Sequence, residues 1–289
     1  MNKMAKKIFI LIMIFLFGCA PNHPNKDELL SKNVDFLIVK GNEFWEKRVN
    51  PENAKWARIF LHKSYQLRPK DKKTGLLYSR ASFYEGKYIE RNEERKDSLF
   101  LNGALTALSY LVNLELHQIN SKTLLNTKGG NHFLFEKIEN SNISSLPELY
   151  LLGLNLGYYI LKKPVRKRME QKDFLEVLFY KIYSLDPSYD FGGPLKLMGI
   201  FYSRIPGMDI SQSKIYFDKA IKLFPYCYSH KTAKAEFYYI KSGHRESFNT
   251  ELIGLIEGDP TIIPDIMSEN LMEQERAQFL LDNESSYFE

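Results

Sequence analysis

Residues 191–225, FGGPLKLMGIFYSRIPGMDISQSKIYFDKAIKLFP, read as one helix, a turn and a second helix, and the second half of that unit recurs along the chain. FLHKSYQLRP ends at Pro69, LFYKIYSLDP at Pro187 and YFDKAIKLFP at Pro225. Each places a lysine, a small or apolar residue, an aromatic or apolar residue, a leucine and a closing proline at the same offsets. Proline ends a helix because it lacks an N–H and its ring clashes with the preceding turn. A chain punctuated in this way predicts a stack of helical hairpins, none of which buries its apolar face alone. Pro187 and Pro225 set the step, and Pro69 lies close to three further steps upstream, so at least one diverged unit fills the gap. Pro260 closes a weaker match, LIGLIEGDP, as expected of a terminal repeat with one face in water.

The offsets inside the unit are of the tetratricopeptide type. Leu195, Met198, Gly199 and Tyr202 hold those of the first helix, and Ser213, Phe217, Ala220 and Pro225 those of the second. Leu37, Gly41 and Phe44 followed by Ala57, Leu61, Ser64 and Pro69 make an earlier unit. Residues 74–89 and 98–119 form a second pair, joined by the charged connection ERNEERKD. Residues 120–145, rich in glycine, asparagine and serine, predict a long loop with one short helix. Residues 147–163 and 174–185 form a third pair, in which Gly153 and Gly157 permit close helix contact. No alternating β-branched run is present, so a sheet is not expected. The expectation is an all-α, tetratricopeptide-like helical repeat, an α-solenoid of about eleven or twelve helices.

The N-terminus carries a different signal. Lys3, Lys6 and Lys7 precede an apolar run from Ile8 to Phe17, which closes on Leu16, Phe17, Gly18 and Cys19. That run is about half of the ~20 residues a spanning helix needs. It reads as a secretory leader ending in a lipobox, with Cys19 the acyl acceptor; an uncleaved anchor is the alternative. The expected organisation is a signal peptide over 1–18, a lipidated cysteine and flexible tether over 19–33, and a helical domain over 34–289. Losing the leader lysines brings the net charge of +5 nearer to zero and gives no case for nucleic acid binding. Cys227 is then the one remaining thiol, so no intrachain disulfide is expected.

Signatures of catalysis do not emerge. The histidines at 23, 62, 117, 132, 230 and 244 lack metal-ligand spacing, and HExxH, CxxC, GxSxG, Walker and GxGxxG patterns do not occur. No metal, cofactor or enzyme activity is expected. Cys227 and His230 stand three apart as a conceivable nucleophile and base, but no orienting group accompanies them. Gly192, Gly193 and Pro194 fit a helix start with proline in its first turn better than a phosphate loop. The basic cluster Lys162, Lys163, Arg166, Lys167 and Arg168 reads more readily as a solvated helix turn than as a lipid-binding patch. Residues one face round from the packing positions would look into a concave groove: Ile38, Asn42, Trp45, Tyr158, Lys196, Ile200 and Ser203. Such an apolar and aromatic wall with a few polar groups suits a small organic ligand or an extended partner segment, and core packing of the same residues is the alternative.

With GGPLKLMGIFYSRIPG (192–207), YFDKAIKLFP, AEFYY (235–239) and the closing Asn270, RAQFLL (276–281) and Phe288 in that order, the chain resembles the T component of tripartite ATP-independent periplasmic (TRAP) transporters. The motif residues are Gly192, Gly193, Pro194, Gly199, Tyr202, Pro206 and Gly207. After Pro206-Gly207 the resemblance leads to a further Gly-Gly, where this chain has Ile210-Ser211. The resemblance implies a helical scaffold with a central cavity or pore, a tendency to form homotrimers, and association with the periplasmic solute-binding (P) component. It makes the expected function a lipid-anchored part of a solute uptake system that binds a small apolar or amphipathic solute, the P component, or both. The alternative is a lipoprotein scaffold gripping peptides in envelope assembly. Ala20 in place of an aspartate after the lipidated cysteine favours the outer membrane over the inner.

Overall fold

Asn50, Asp71, Asn92 and Asp209 each turn a side-chain oxygen onto a free N–H at the start of a helix, and these caps set much of the architecture. A computed structural model describes residues 26–113 and 132–288. The leader, Cys19 and residues 120–131 of the expected loop lie outside the described residues. Two units are distinguished, Met1–Phe36 and Leu37–Glu289. Among the described residues there are thirteen helices and no strand, so the protein is all-α.

In chain order these are α1 (Lys26–Glu46), α2 (Pro51–Leu67), α3 (Lys72–Tyr84), α4 (Glu93–Val112), α5 (His132–Glu139) and α6 (Leu146–Leu161). There follow α7 (Val165–Glu170), α8 (Lys172–Leu185), α9 (Tyr189–Arg204), α10 (Ile210–Leu223), α11 (Tyr228–Lys234), α12 (Arg245–Ile256) and α13 (Met267–Asp282). The recurrent ending falls as read: α2, α8 and α10 stop at Leu67, Leu185 and Leu223, each two residues before its proline. α1 begins at Lys26, inside the segment expected to be a tether. The charged connection before the fourth helix is shorter than expected, because Asn92 accepts from the Arg95 N–H and draws EERKD into the first turns of α4. α5 is the short helix expected near the glycine-rich insertion.

Consecutive helices pack on one another, α2 on α3, α3 on α4, α8 on α9 and α9 on α10. Gly41 lies against Leu61, and Gly199 against Phe217. A Cβ on Gly199 would stand 2.8 Å from the Phe217 ring, so that position is closed to any larger residue. α6 is central, touching α3, α4, α8 and α9, and Leu149, Leu152 and Leu156 on it are wholly buried.

The C-terminal helix does more than cap the stack. α13 packs on α11 and α12, yet Met272 on it joins the aromatic cluster of Trp45, Tyr78 and Tyr84 from the N-terminal helices. Arg48 forms a two-pronged pair with Glu269 at 3.1 and 2.8 Å, and Lys87 pairs with Glu273. Side chains from the last helix therefore meet those of the N-terminal helices, and the space enclosed between them holds the cavities described next.

Candidate functional site

Two helices widen by one residue per turn at the places where they border this space. α3 runs into a π turn over Glu85–Ile89, and α11 into another over Ala235–Tyr239 before ending in Ile240–Ser242. A π turn changes the direction of the side chains beyond it, and such turns recur at functional sites. Here the first carries Lys87 and Tyr88 and the second Glu236 and Phe237, and all four border one cavity.

The start of α9 is strained. Asp190, Phe191 and Gly192 take left-handed backbone angles, φ 49°, 55° and 78° in turn, before the regular helix resumes at Gly193-Pro194. Only glycine adopts this region freely, so the two non-glycine residues must be held there. Arg80 pairs with the Asp190 carboxylate at 2.9 Å, and the Tyr150 side chain stands beside the same carboxylate. Burial alone would raise the Asp190 pKa, but Arg80 and Tyr150 outweigh it and hold the group below its usual range. The Phe191 carbonyl accepts a 2.6 Å hydrogen bond from His230 Nε2–H. Burial, reinforced by Lys196, lowers the His230 pKa to about 3, so the ring is neutral and its Nδ1 is a bare acceptor.

Two chambers occupy the enclosed space. The first, about 190 Å³, is walled by rings from Trp45, Phe83, Tyr84, Tyr150 and Phe191, with Arg48, Arg80, Lys196 and Cys227 among them, and reaches the surface at Asp265. The second, about 670 Å³, is bordered by Lys87, Tyr158, Arg204, Glu236, Glu273 and Arg276 and reaches the surface at Arg91 and Glu93. Tyr88 belongs to both walls. Its hydroxyl donates to Glu273 at 2.7 Å and accepts from Lys87 at 2.9 Å, so the three residues form one bonded group beside both chambers. Burial pushes the Glu273 carboxyl up, but Lys87 and Tyr88 outweigh it and leave the pKa below its ordinary value. A third, much smaller pocket of about 20 Å³ lies between Tyr158, Phe179, Leu197 and Ile200.

Of the seven residues read as groove-facing, Trp45 and Lys196 wall the first chamber, and Tyr158 borders the second. Ile200 is 4% exposed, lines the small apolar pocket and belongs to the C-terminal core. Ser203 is buried with its hydroxyl on the Ile200 carbonyl, and Ile38 and Asn42 are half-buried outside the walls of the three cavities. Gly192, Gly193, Pro194, Gly199 and Tyr202 are buried in or beside α9, while Pro206 and Gly207 form its exposed exit turn. At the Ile210-Ser211 departure, Asp209 caps α10. Four members of the basic cluster are engaged in ion pairs, Lys162 with Glu93, Lys163 with Asp97, and Arg166 and Lys167 with Glu170, while the buried Arg168 Nε finds no hydrogen-bond partner.

The sequence reading missed Lys87, Tyr88 and Glu273. AEFYY, already quoted as a motif, coincides with one of the two π turns; EGKYI at the other carries no comparable mark. The pattern of this chain matches the family described as the TRAP transporter T-component over residues 77–288. Curated proteins provide no match to the chain.

Proposed function

Because the chain belongs to the TRAP transporter T-component family and so has a role in a TRAP transporter system, we propose that it holds a small amphipathic solute and exchanges it with the periplasmic solute-binding component. The observation that carries this reading is the first chamber, an aromatic-walled space of about 190 Å³ with a few fixed charges. Aromatic walls with a small number of placed polar groups are the usual makeup of small-molecule sites. The second chamber, larger and more charged, offers a way in and out. Cys19 would be acylated and would hold the scaffold at the periplasmic face of a membrane, with the outer membrane favoured by Ala20. No helix among the described residues is long and apolar enough to cross a membrane.

Native mass spectrometry of the gently purified protein tests the reading. A small organic mass retained by the chain, or a co-purifying solute-binding protein, is the expected result, and the same spectrum gives the oligomeric state against the expected homotrimer. Retention of peptides or envelope-assembly proteins in place of a small molecule would overturn it in favour of a scaffold.

A further inference from the structure

Three cations face the first chamber, and two of them are engaged. Arg48 holds Glu269 and the Asp265 carbonyl; Arg80 holds Asp190. Lys196 is 8% exposed, and the hydrogen bond found for its ammonium is to the Ser229 hydroxyl, at 2.9 Å. An ammonium has three donors, and a buried one without a counter-ion is costly.

The acids nearby are already taken. Asp190 is bound by Arg80, Glu273 by Lys87 and Tyr88, and Glu269 by Arg48, while Asp265 sits exposed at the rim. The Cys227 thiol is pushed up by burial, so it supplies no negative charge at neutral pH. Burial and the neighbouring Lys87 hold the Lys196 ammonium below the usual lysine range, so its charge is disfavoured where it stands and an anion beside it would favour it. A second donor stands in the same wall. The Tyr84 hydroxyl is buried, on a side chain 2% exposed, and finds no protein partner.

Two unspent donors and a ring of aromatic faces call for a ligand that accepts hydrogen bonds, carries negative charge and is otherwise apolar. Size narrows it further, since a cavity of ~150 Å³ takes one benzene ring. We propose that the first chamber binds a small monoanion, one aromatic or similarly compact apolar body with a single acid group, and that Lys196 is its counter-ion. This rests on the solute-binding reading above and specifies the class of solute.

Calorimetry of the full chain in lipid nanodiscs, with empty discs as the blank, tests it with three probes of one shape: phenylacetate, phenylacetamide and 2-phenylethylamine. Phenylacetate is expected to bind at least about tenfold more tightly than the amide, and the amine weakest of the three, a tenfold ratio being about 1.4 kcal/mol. Lys196→Met, similar in length and apolar, is expected to lose the preference for the acid while keeping the amide's affinity, and Tyr84→Phe to weaken acid and amide alike. Equal binding of acid and amide by the unaltered protein, or an acid preference that survives Lys196→Met, overturns the assignment of Lys196 and leaves the solute reading standing. Failure of all three probes at millimolar concentration overturns the chamber as the solute site. The acid-to-amide comparison needs no variant, so the proposal stays open to refutation even if a substitution impairs folding.

Discussion

Helices α6 and α13 are both sixteen residues long and both bury a large part of themselves, yet they do so with opposite chemistry. α6, LPELYLLGLNLGYYIL, is apolar on nearly every side and sits where four helices meet. α13, MSENLMEQERAQFLLD, is mostly polar, and among its buried residues are Ser268, Asn270 and Glu273. A helix hydrophobic all round belongs in the centre of a core, and its leucines need only fit. A polar helix gains burial only by bonding each group it hides. Asn270 does so by accepting from the Tyr228 N–H at 3.0 Å and donating to the Tyr226 carbonyl at 2.9 Å. Glu273 does so through Lys87 and Tyr88. α6 therefore supplies bulk stability, whereas α13 fixes where the N-terminal and C-terminal helices stand around the chambers.

The sharpest way to break that contrast is Glu273→Gln. It leaves the Lys87 ammonium without its counter-ion in a mostly buried setting, and a loss of about 4 kcal/mol is expected, read from the denaturation midpoint. Replacing the pair together, Lys87→Met with Glu273→Leu, should recover most of that, because well-packed apolar residues often substitute for a buried ion pair at little cost. A double variant as unstable as the single one would mean that α13 is held by more than the pair. The pH dependence has a definite sign. The Glu273 carboxyl is held below its ordinary 4.5, so its contribution is complete above that value and is lost as pH falls through the lower folded one. His230, lowered from 6.5 to about 3, favours the fold in its neutral form, so its share declines as pH drops across that interval. Glu273→Gln should make the fall in stability below pH 4.5 less steep and leave in place the His230 decline that runs from 6.5 toward 3.

On the α6 side, Leu152→Ala is expected to cost about 3 kcal/mol, since the side chain is wholly buried and rigid neighbours on four helices cannot close the cavity. Its midpoint should shift without a new acid dependence, which is the signature separating a packing residue from a charged one. Asn270→Ala comes next, at about 2 kcal/mol, for a buried Tyr228 N–H left without its acceptor. A loss for Asn270→Ala larger than that for Leu152→Ala would reverse the ranking of the two helices.

The same contrast explains what could be read in advance. The leucine run of α6 and the Leu-to-Pro endings at 67–69, 185–187 and 223–225 are local patterns, and they gave the helices their positions. Trp45 and Lys196, read as groove-facing by counting one face round a helix, line the first chamber. Lys87 and Glu273 were beyond such counting, because they lie 186 residues apart and one stands on a π turn whose extra residue shifts every later offset. Ile200, placed on a groove by the same counting, stands one turn beyond Lys196 on α9, where it lines the small apolar pocket and joins the C-terminal core.

The smallest effect belongs to the charged surface that is neither bulk core nor chamber wall. Lys162 pairs with Glu93, and both side chains are well exposed, at 42% and 61%. Exposed pairs of this kind contribute about 0.5 kcal/mol or less, because water screens the charges and two long side chains must be ordered. Lys162→Ala should therefore leave the denaturation midpoint nearly unchanged and should not alter sedimentation with anionic vesicles. A marked fall in vesicle binding would show that the cluster at 162–168 exchanges its internal partners for lipid headgroups. That would add a third kind of surface to the comparison, polar like α13 but satisfied from outside the chain.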